Sequence, residues 1–505
     1  MTGSDAAGAR SGVVADGVFT PLTEIRERSA RFAGVLTELG VRREESVAVL
    51  MPNRVEFFEV ALAARAIGAV LVPVSRQLTP GELGYILDDC DATAIVVSHE
   101  LAGVAERAAP ARKRIVVGGP DDEYSRLIDA GRPHVGEERD PSEPMLYTSG
   151  TTGRPKGVRK SAASPEQTAA MGRWITELFG LERGMRTIVA NPLYHSAGYG
   201  HAMLVLRQRG LVVLERRFDP RRFLALIEQH RITHLQLVPT MMYRLLRLPV
   251  EVRARYDTSS LRHVLHGAGP CARETKQALI DWWGPIVREY YGSTETGGLV
   301  SCDSHEWLAH PGTVGKARDG AVVRIVGEDG ETLPPGEVGT VYARHPSTPP
   351  FTYHRAGDKR AAMEHDGLLT CGDLGYLDDD GYLYLVDRRT DLVLCGGVNV
   401  YPAEIEQQLQ QMPGVSDCAV VGAPDPELGQ IPVAFVQFEV GSEVTLDGMR
   451  DFLAGRLART KLPRRLEIVD ALPRDDTGKV RRARLLELAR ARLDSVDTAD
   501  IVVRN

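Results

Sequence analysis

From Phe19 onward the apolar positions fall into two alternating rhythms. LTEIRERSARFAGVLTEL, residues 22–39, repeats its apolar residues at helical spacing, which predicts an amphipathic helix. SVAVLM that follows is a short continuous apolar run and reads as a buried strand. RVEFFEVALAARAIG, residues 54–68, predicts a second helix ending at Gly68, and AVLVPV the next strand. LGYILDDCD then leads into ATAIVVS. The rhythm returns in TIVANP, LVVLER, ITHLQLVP and RHVLHGAG. Buried strands alternating with helices predict parallel sheet covered on both faces.

The texture changes after about Gly315. AVVRIVGEDGETLPPGEVGTVYAR alternates apolar and polar residues around Asp-Gly and Pro-Pro-Gly turns. GYLDDDGYLYLVDR predicts a hairpin turning at Asp380–Gly381. Helices and strands then resume as a compact α+β unit. The expected fold class is therefore α/β: a large N-terminal domain of parallel-sheet α/β subdomains plus a β-rich subdomain, then a small mobile α+β C-terminal domain. The boundary is expected near Arg389–Thr390, giving domains 1–389 and 390–505.

Composition narrows the function classes. A chain of 505 residues exceeds one ordinary core. Its 61 basic and 68 acidic residues give a net charge of −7, which argues against nucleic acid or an anionic membrane as main partner. Six cysteines, at 90, 271, 302, 371, 395 and 418, form no CxxC pair, so no zinc site or disulfide framework is readable. No secretory leader, peroxisomal tail or transmembrane segment is recognisable, and the cytoplasm is the expected location.

Several stretches carry chemistry. LYTSGTTGRPKGVRK surrounds Gly150 and Gly153 with Thr148, Ser149, Thr151 and Thr152 and adds Lys156. Freed backbone N–H groups, hydroxyls and a lysine suit phosphate oxygens. It is not a Walker A loop, because Pro155 rather than Gly precedes Lys156. A solvated Gly/Thr turn has the same composition. In YYGSTETGG, an aromatic could stack on a base, Thr294 could touch a phosphate or acyl oxygen, and Glu295 could hold Mg²⁺ beside phosphate oxygens. A plain turn uses the same residues.

HVLHGAGPCA contains Gly267, Gly269 and Ala272 in a G-x-G-x-x-A pattern with Glu289 downstream, which admits a nicotinamide oxidoreductase. Pro270, within the turn that should open a helix, weakens it. In LLTCGDLGYL, Asp373 could accept both ribose hydroxyls; the DDDG that follows lacks the alternating acids and closing Glu of an EF-hand. VDRRTDLVLCGGVNVYPAEIE offers Arg388 to ribose or phosphate and Gly396–Gly397 to a thin ligand. LPRDDTGKVRRARLLE places Lys479 in an exposed turn before a basic helix.

Taken in order, YTSGTTGRPKGV, PLYHSAG, YYGSTE, CGDLG, DRRTDLVLCGGVNVYPAEIE and PRDDTGK resemble the adenylate-forming superfamily of acyl-CoA synthetases, peptide-synthetase adenylation domains and luciferases. The resemblance runs from about Phe19 to Leu486 and looks closest to the acyl-CoA synthetase branch. It implies that a carboxylate attacks the α-phosphate of ATP, giving acyl-AMP and pyrophosphate, and that CoA then displaces AMP. It implies a phosphate grip by Thr148, Ser149, Gly150, Thr151, Thr152 and Lys156, with Mg²⁺ on Glu295 and the α-phosphate against Thr294. It implies adenine beside Gly267, Ala268, Gly269, Tyr291 and Gly292, and ribose on Asp373 and Arg388. Lys479 would bridge carboxylate and α-phosphate, His195 would gate the acid pocket, and Gly396–Gly397 would flank the pantetheine arm after domain rotation about Thr390.

Two positions depart from the pattern: Thr390, where Asp or Lys is usual at the hinge, and Cys371, where Thr or Ser usually precedes Gly-Asp. Thr390 keeps open an acceptor other than CoA: a carrier protein, an amine, or nitrite in the diazotisation of an aryl amine. The acid itself stays open among aryl, medium-chain, long-chain and polycyclic classes, as does assembly into a homodimer.

Overall fold

The computed structural model describes residues 11–136, 143–148, 155–439, 441–442, 444–476 and 478–493. Among them a four-stranded, all-parallel sheet forms first, in the order Val70–Pro73, Ser46–Leu50, Ala92–Ser98, Arg114–Val117. Helices Val55–Ile67, Pro80–Asp89 and Ala102–Ala108 make the crossovers. Their ends are written locally. Gly68 closes the first in a left-handed conformation (φ 71°), and Thr79 opens the second in a capping box with Glu82. Every residue of Ser46–Leu50 is buried, as a strand covered on both faces requires.

The second sheet carries the site. Leu211–Leu214, Arg186–Val189, His234–Leu237, His263–His266 and Val287–Ser293 run parallel in that order. Leu235, Val264 and Val287 share a register row and pack on one face. Gln236 and Leu265 pair in the adjoining row, so their side chains turn to the other face. At Val287–Ser293 the sheet changes character. Gly297–Cys302 folds back antiparallel, and Gly315–Ala317, Tyr382–Arg388, Asp373–Leu377 and Gly339–Arg344 extend it. The β-rich stretch thus continues the parallel sheet edge to edge. The expected hairpin forms between Asp373–Leu377 and Tyr382–Arg388, with Gly381 at φ 80° in its turn.

A small three-stranded sheet, Leu146–Thr148, Lys156–Lys160 and Phe351–Tyr353, stands beside Glu295. The C-terminal part builds a five-stranded sheet from Val393–Cys395, Val398–Val400, Val415–Asp425, Gly429–Phe438 and Arg465–Ile468. Helices Pro402–Leu409 and Leu446–Ala454 cover one face around Ile405, Val436 and Leu453, and Arg482–Leu493 covers the other around Phe435 and Leu485. No helix of the described residues is long and apolar enough to cross a membrane.

Candidate active site

Strand Val287–Ser293 ends in a tight turn that aims Thr294 and Glu295. The Ser293 hydroxyl accepts the Thr296 N–H (3.0 Å). Gly292 is required there, because a Cβ would stand 2.0 Å from the Gly297 carbonyl oxygen. Glu295 is buried, and its Oε1 accepts hydrogen bonds from the Thr148 hydroxyl (3.2 Å) and the Tyr353 hydroxyl (3.1 Å). Burial and the Glu295 charge both push the Tyr353 hydroxyl up. Lys156 Nζ lies 5.0 Å from the centre of the Tyr353 ring. Its ammonium is lowered by lost hydration and by Lys359, against the pull of Glu295 and Asp358. Ser149, Gly150, Thr151 and Thr152 lie outside the described residues.

Asp373 pairs with Arg388 across the hairpin, which brings Arg388 Nε to 3.1 Å from Asp373 Oδ1. The Tyr291 hydroxyl donates to Oδ2 at 2.8 Å. Burial opposes the Arg388 charge, but Asp373 and Asp391 outweigh it and hold the guanidinium above its ordinary value. The Cys371 thiol is pushed up to about 12 by burial and donates to the Ser293 hydroxyl (3.1 Å), tying the Gly-Asp turn to the Glu295 turn. At the end of His263–His266, Gly267 leaves room for Tyr290: an added Cβ would lie 2.8 Å from its ring. Ala268 takes the left-handed conformation (φ 67°), which tightens this turn.

Lys479 arrives from the C-terminal part on a small hairpin. Arg474 and Val480 form an antiparallel bridge, the Asp475 N–H donates to the Lys479 carbonyl (2.8 Å), and the Lys479 N–H donates to Asp475 Oδ1 (2.9 Å). Gly478 (φ 83°) presses on the N-terminal part so closely that a Cβ would fall 2.2 Å from Thr240 Oγ1. Asp476 binds across the same junction. Its carboxylate accepts from Arg76 Nε (2.9 Å), Gln77 Nε2 (2.5 Å) and the Tyr194 hydroxyl (2.8 Å). The Lys479 side chain keeps contact with solvent, yet protein crowds its ammonium. Lost hydration lowers it most and Arg388 lowers it further, against the attraction of Asp475, Asp373 and Glu295.

His195 precedes helix Ser196–Arg207, its ring 4.4 Å from that of Tyr194 and its Nε2 without a hydrogen bond. Burial pushes it down to about 4; Asp475 and Asp476 pull upward and Lys479 downward. It is neutral at pH 7. Hydrogen bonds join Thr148 to Glu295 and Tyr291 and Arg388 to Asp373, and Thr294 adjoins Glu295 in the chain. The charge of Lys479 acts on His195 and is acted on by Arg388, Asp373 and Glu295, while Glu295 also acts on Lys156. Gly396 and Gly397 stand apart, exposed in the turn of a C-terminal hairpin at φ 57° and 80°. Tyr353, Asp476, Arg76, Gln77 and Tyr194 bond to or beside these groups without having stood out in the sequence. The two adjacent acids of PRDDTGK were the signal available for Asp476.

The chain matches the family profile of AMP-binding enzymes over residues 14–350 and that of the AMP-binding enzyme C-terminal domain over 404–479. It is 34% identical to a feruloyl-CoA synthase of Amycolatopsis sp, covering 90% of this chain and 91% of that one. A 2-succinylbenzoate–CoA ligase of Geobacillus kaustophilus is 33% identical, over 94% of each chain. The solved o-succinylbenzoate coenzyme A synthetase of Bacillus subtilis, in complex with ATP and magnesium ion, superposes with a TM-score of 0.82 at 27% identity, covering 95% of this chain and 97% of that one.

Proposed function

The chain belongs to the AMP-binding enzyme family, and from that premise we propose how its cleft carries out the work of an ATP-dependent acid–CoA ligase. An oxygen of the acid's carboxylate forms a bond to the α-phosphorus of ATP as the bond to pyrophosphate breaks. The sulfur of CoA then bonds to the acyl carbon, AMP leaves, and the thiol proton passes to solvent.

Each half-step sets anions against one another, so catalysis rests on holding and screening charge. Lys479 supplies the mobile cation between carboxylate and α-phosphate. Its ammonium is partly stripped of water, which strengthens its attraction to an entering anion. Thr294 meets the α-phosphate, while Thr148 and Lys156 take the β- and γ-phosphates. Asp373 accepts the ribose hydroxyls with Arg388 alongside, and the 267–269 turn and Tyr291 flank the base. His195, neutral at pH 7, walls the acid pocket without adding a second cation.

Glu295 fits Mg²⁺, a hard ion that takes one or two carboxylates and completes its shell with phosphate oxygens and water. No cluster of three or more potential ligands competes among the described residues. Bound there, Mg²⁺ would neutralise charge on the departing pyrophosphate.

We take residues 1–389 and 390–505 as the two moving units, with Thr390 at the hinge. CoA attack would follow rotation of the second unit, withdrawing Lys479 and presenting Gly396–Gly397. A cytoplasmic site of action suits a consumer of ATP and CoA.

What supports the reading is that Lys479, from the C-terminal part, lies near enough to Asp373 and Glu295 for their charges to act on its ammonium. Acid-dependent ATP–pyrophosphate exchange over a panel of acids, then thioester formation with CoA, tests it. Lys479→Ala should abolish most exchange yet leave thioester formation from supplied acyl-AMP largely intact. Equal loss of both half-reactions would remove Lys479 from this role.

A further inference from the structure

Arg318 follows strand Gly315–Ala317 and is 9% exposed. Its guanidinium stacks on Trp174, 4.4 Å from the ring centre. Nη2 donates to the hydroxyls of Ser347 (3.2 Å) and Thr348 (3.4 Å), and Nε is buried without a partner. No carboxylate among the described residues acts on its charge, and burial alone pushes it down to about 10. A buried guanidinium is ordinarily matched by an anion, because an uncompensated charge in a poorly hydrated site is costly.

The surroundings set this niche beside the Glu295 turn. The Trp174 ring lies on Gly298 so closely that a Cβ there would meet its edge at 2.0 Å. Thr348 lies over Gly297, 3.8 Å from where its Cβ would be. These glycines follow Glu295–Thr296 directly and close the turn against Gly292. The Arg318 backbone N–H donates to the Leu299 carbonyl (3.0 Å), so the residue is anchored to the strand that leaves the Glu295 turn.

Resting on the ligase reading above, we propose that Arg318, with Trp174, Ser347 and Thr348, recognises a second carboxylate on the acid, remote from the one that is adenylated. The planar fork of arginine suits a carboxylate, and the hydroxyls hold that fork from one side. With Lys479 in the cleft the chain is arranged for adenylation, the step in which the acid, and not CoA, must be bound. The substrate class is therefore a dicarboxylic acid.

The test measures ATP–pyrophosphate exchange without CoA, using matched mono- and dicarboxylic acids of several lengths. The wild-type enzyme should prefer the diacid of fitting length. Arg318→Leu should raise its KM roughly 30-fold or more, the scale seen when one partner of a buried charge pair is removed, and collapse the diacid-to-monoacid ratio of kcat/KM. Arg318→Lys should restore part of it. ATP binding by calorimetry reports whether each variant has folded. Exchange with monoacids that equals or exceeds that with diacids, and a ratio indifferent to Arg318→Leu, would overturn the proposal while leaving the ligase reading standing. A defect confined to the KM for CoA would also overturn it, assigning the niche to a phosphate of CoA. Absence of exchange on every acid in the wild type would instead sink the ligase reading itself.

Discussion

Glu295 is held by two hydroxyls of unlike visibility. Thr148 opens a sequence run rich in glycine and hydroxyls and stands out for that reason. Tyr353 sits 58 residues from Glu295 in PFTYHR, which has no signal of its own. It reaches the carboxylate because Tyr353 pairs with Val158 in the small sheet that also holds Thr148 and Lys156. A hydrogen bond to a charged group contributes about 1.5–3 kcal/mol, and Thr148 would keep part of the carboxylate's orientation. Tyr353→Phe should therefore raise the Mg²⁺ concentration for half-maximal exchange about tenfold, with little effect on ATP affinity measured without metal. An unchanged Mg²⁺ titration would show that the tyrosine only fills space. Much of the candidate site was legible in this local sense: Glu295, Asp373 and Lys479 each occupy a short run whose chemistry is written side by side. Side chains whose partners arrive by tertiary pairing, such as Tyr353 and Arg318, were not.

The hairpin bearing Lys479 makes the same point for an element. Gly-Lys in a turn is a local signal, whereas the Asp476 partners Arg76, Gln77 and Tyr194 lie 400, 399 and 282 residues away. Asp476 is half-buried, and its carboxylate is held below the usual range because hydrogen bonds from Arg76 and Tyr194 outweigh the larger single effect of lost hydration. On the mechanism proposed above, these contacts would latch the hairpin in the arrangement that presents Lys479. Asp476→Ala should slow exchange about tenfold, as expected when a charged hydrogen-bond network is cut, while thioester formation from supplied acyl-AMP holds or rises. Combining it with Arg76→Ala should add little, because the two residues act through one contact. Equal slowing of both half-reactions would mean that the contact stabilises the fold without selecting an arrangement. Among larger elements, the parallel strands and crossover helices follow from alternation of apolar runs. That the β-rich stretch extends the same sheet could not be read, since edge pairing depends on a backbone reversal at Gly292–Gly298 rather than on any periodic pattern.

For the whole molecule, imidazoles that are buried or half-buried decide how the fold meets acid. Burial holds His195, His234, His263 and His266 down to about 4 and His201 to about 3. In the unfolded chain each would titrate near 6.5. Between these values each of these five side chains binds a proton in the unfolded chain that the native chain refuses. His230 and His345, also lowered by burial, act in the same direction, so native stability falls as pH falls. Two carboxyls oppose this, Glu59, raised chiefly by burial, and Asp387. The Asp387 carboxyl is pushed up to about 6 by burial against the backbone N–H groups of Ala403 and Arg388, so it binds one proton in the native state first. The balance still favours unfolding, at about 1.4 kcal/mol per pH unit for each uncompensated group. The thermal midpoint should therefore drop by several degrees or more between pH 7 and pH 5, a window in which most carboxylates stay ionised. Melting curves at constant ionic strength across that range would check it. A flat or rising midpoint would mean that these histidines reach water in the native state, and would remove the case for a neutral His195 in the acid pocket.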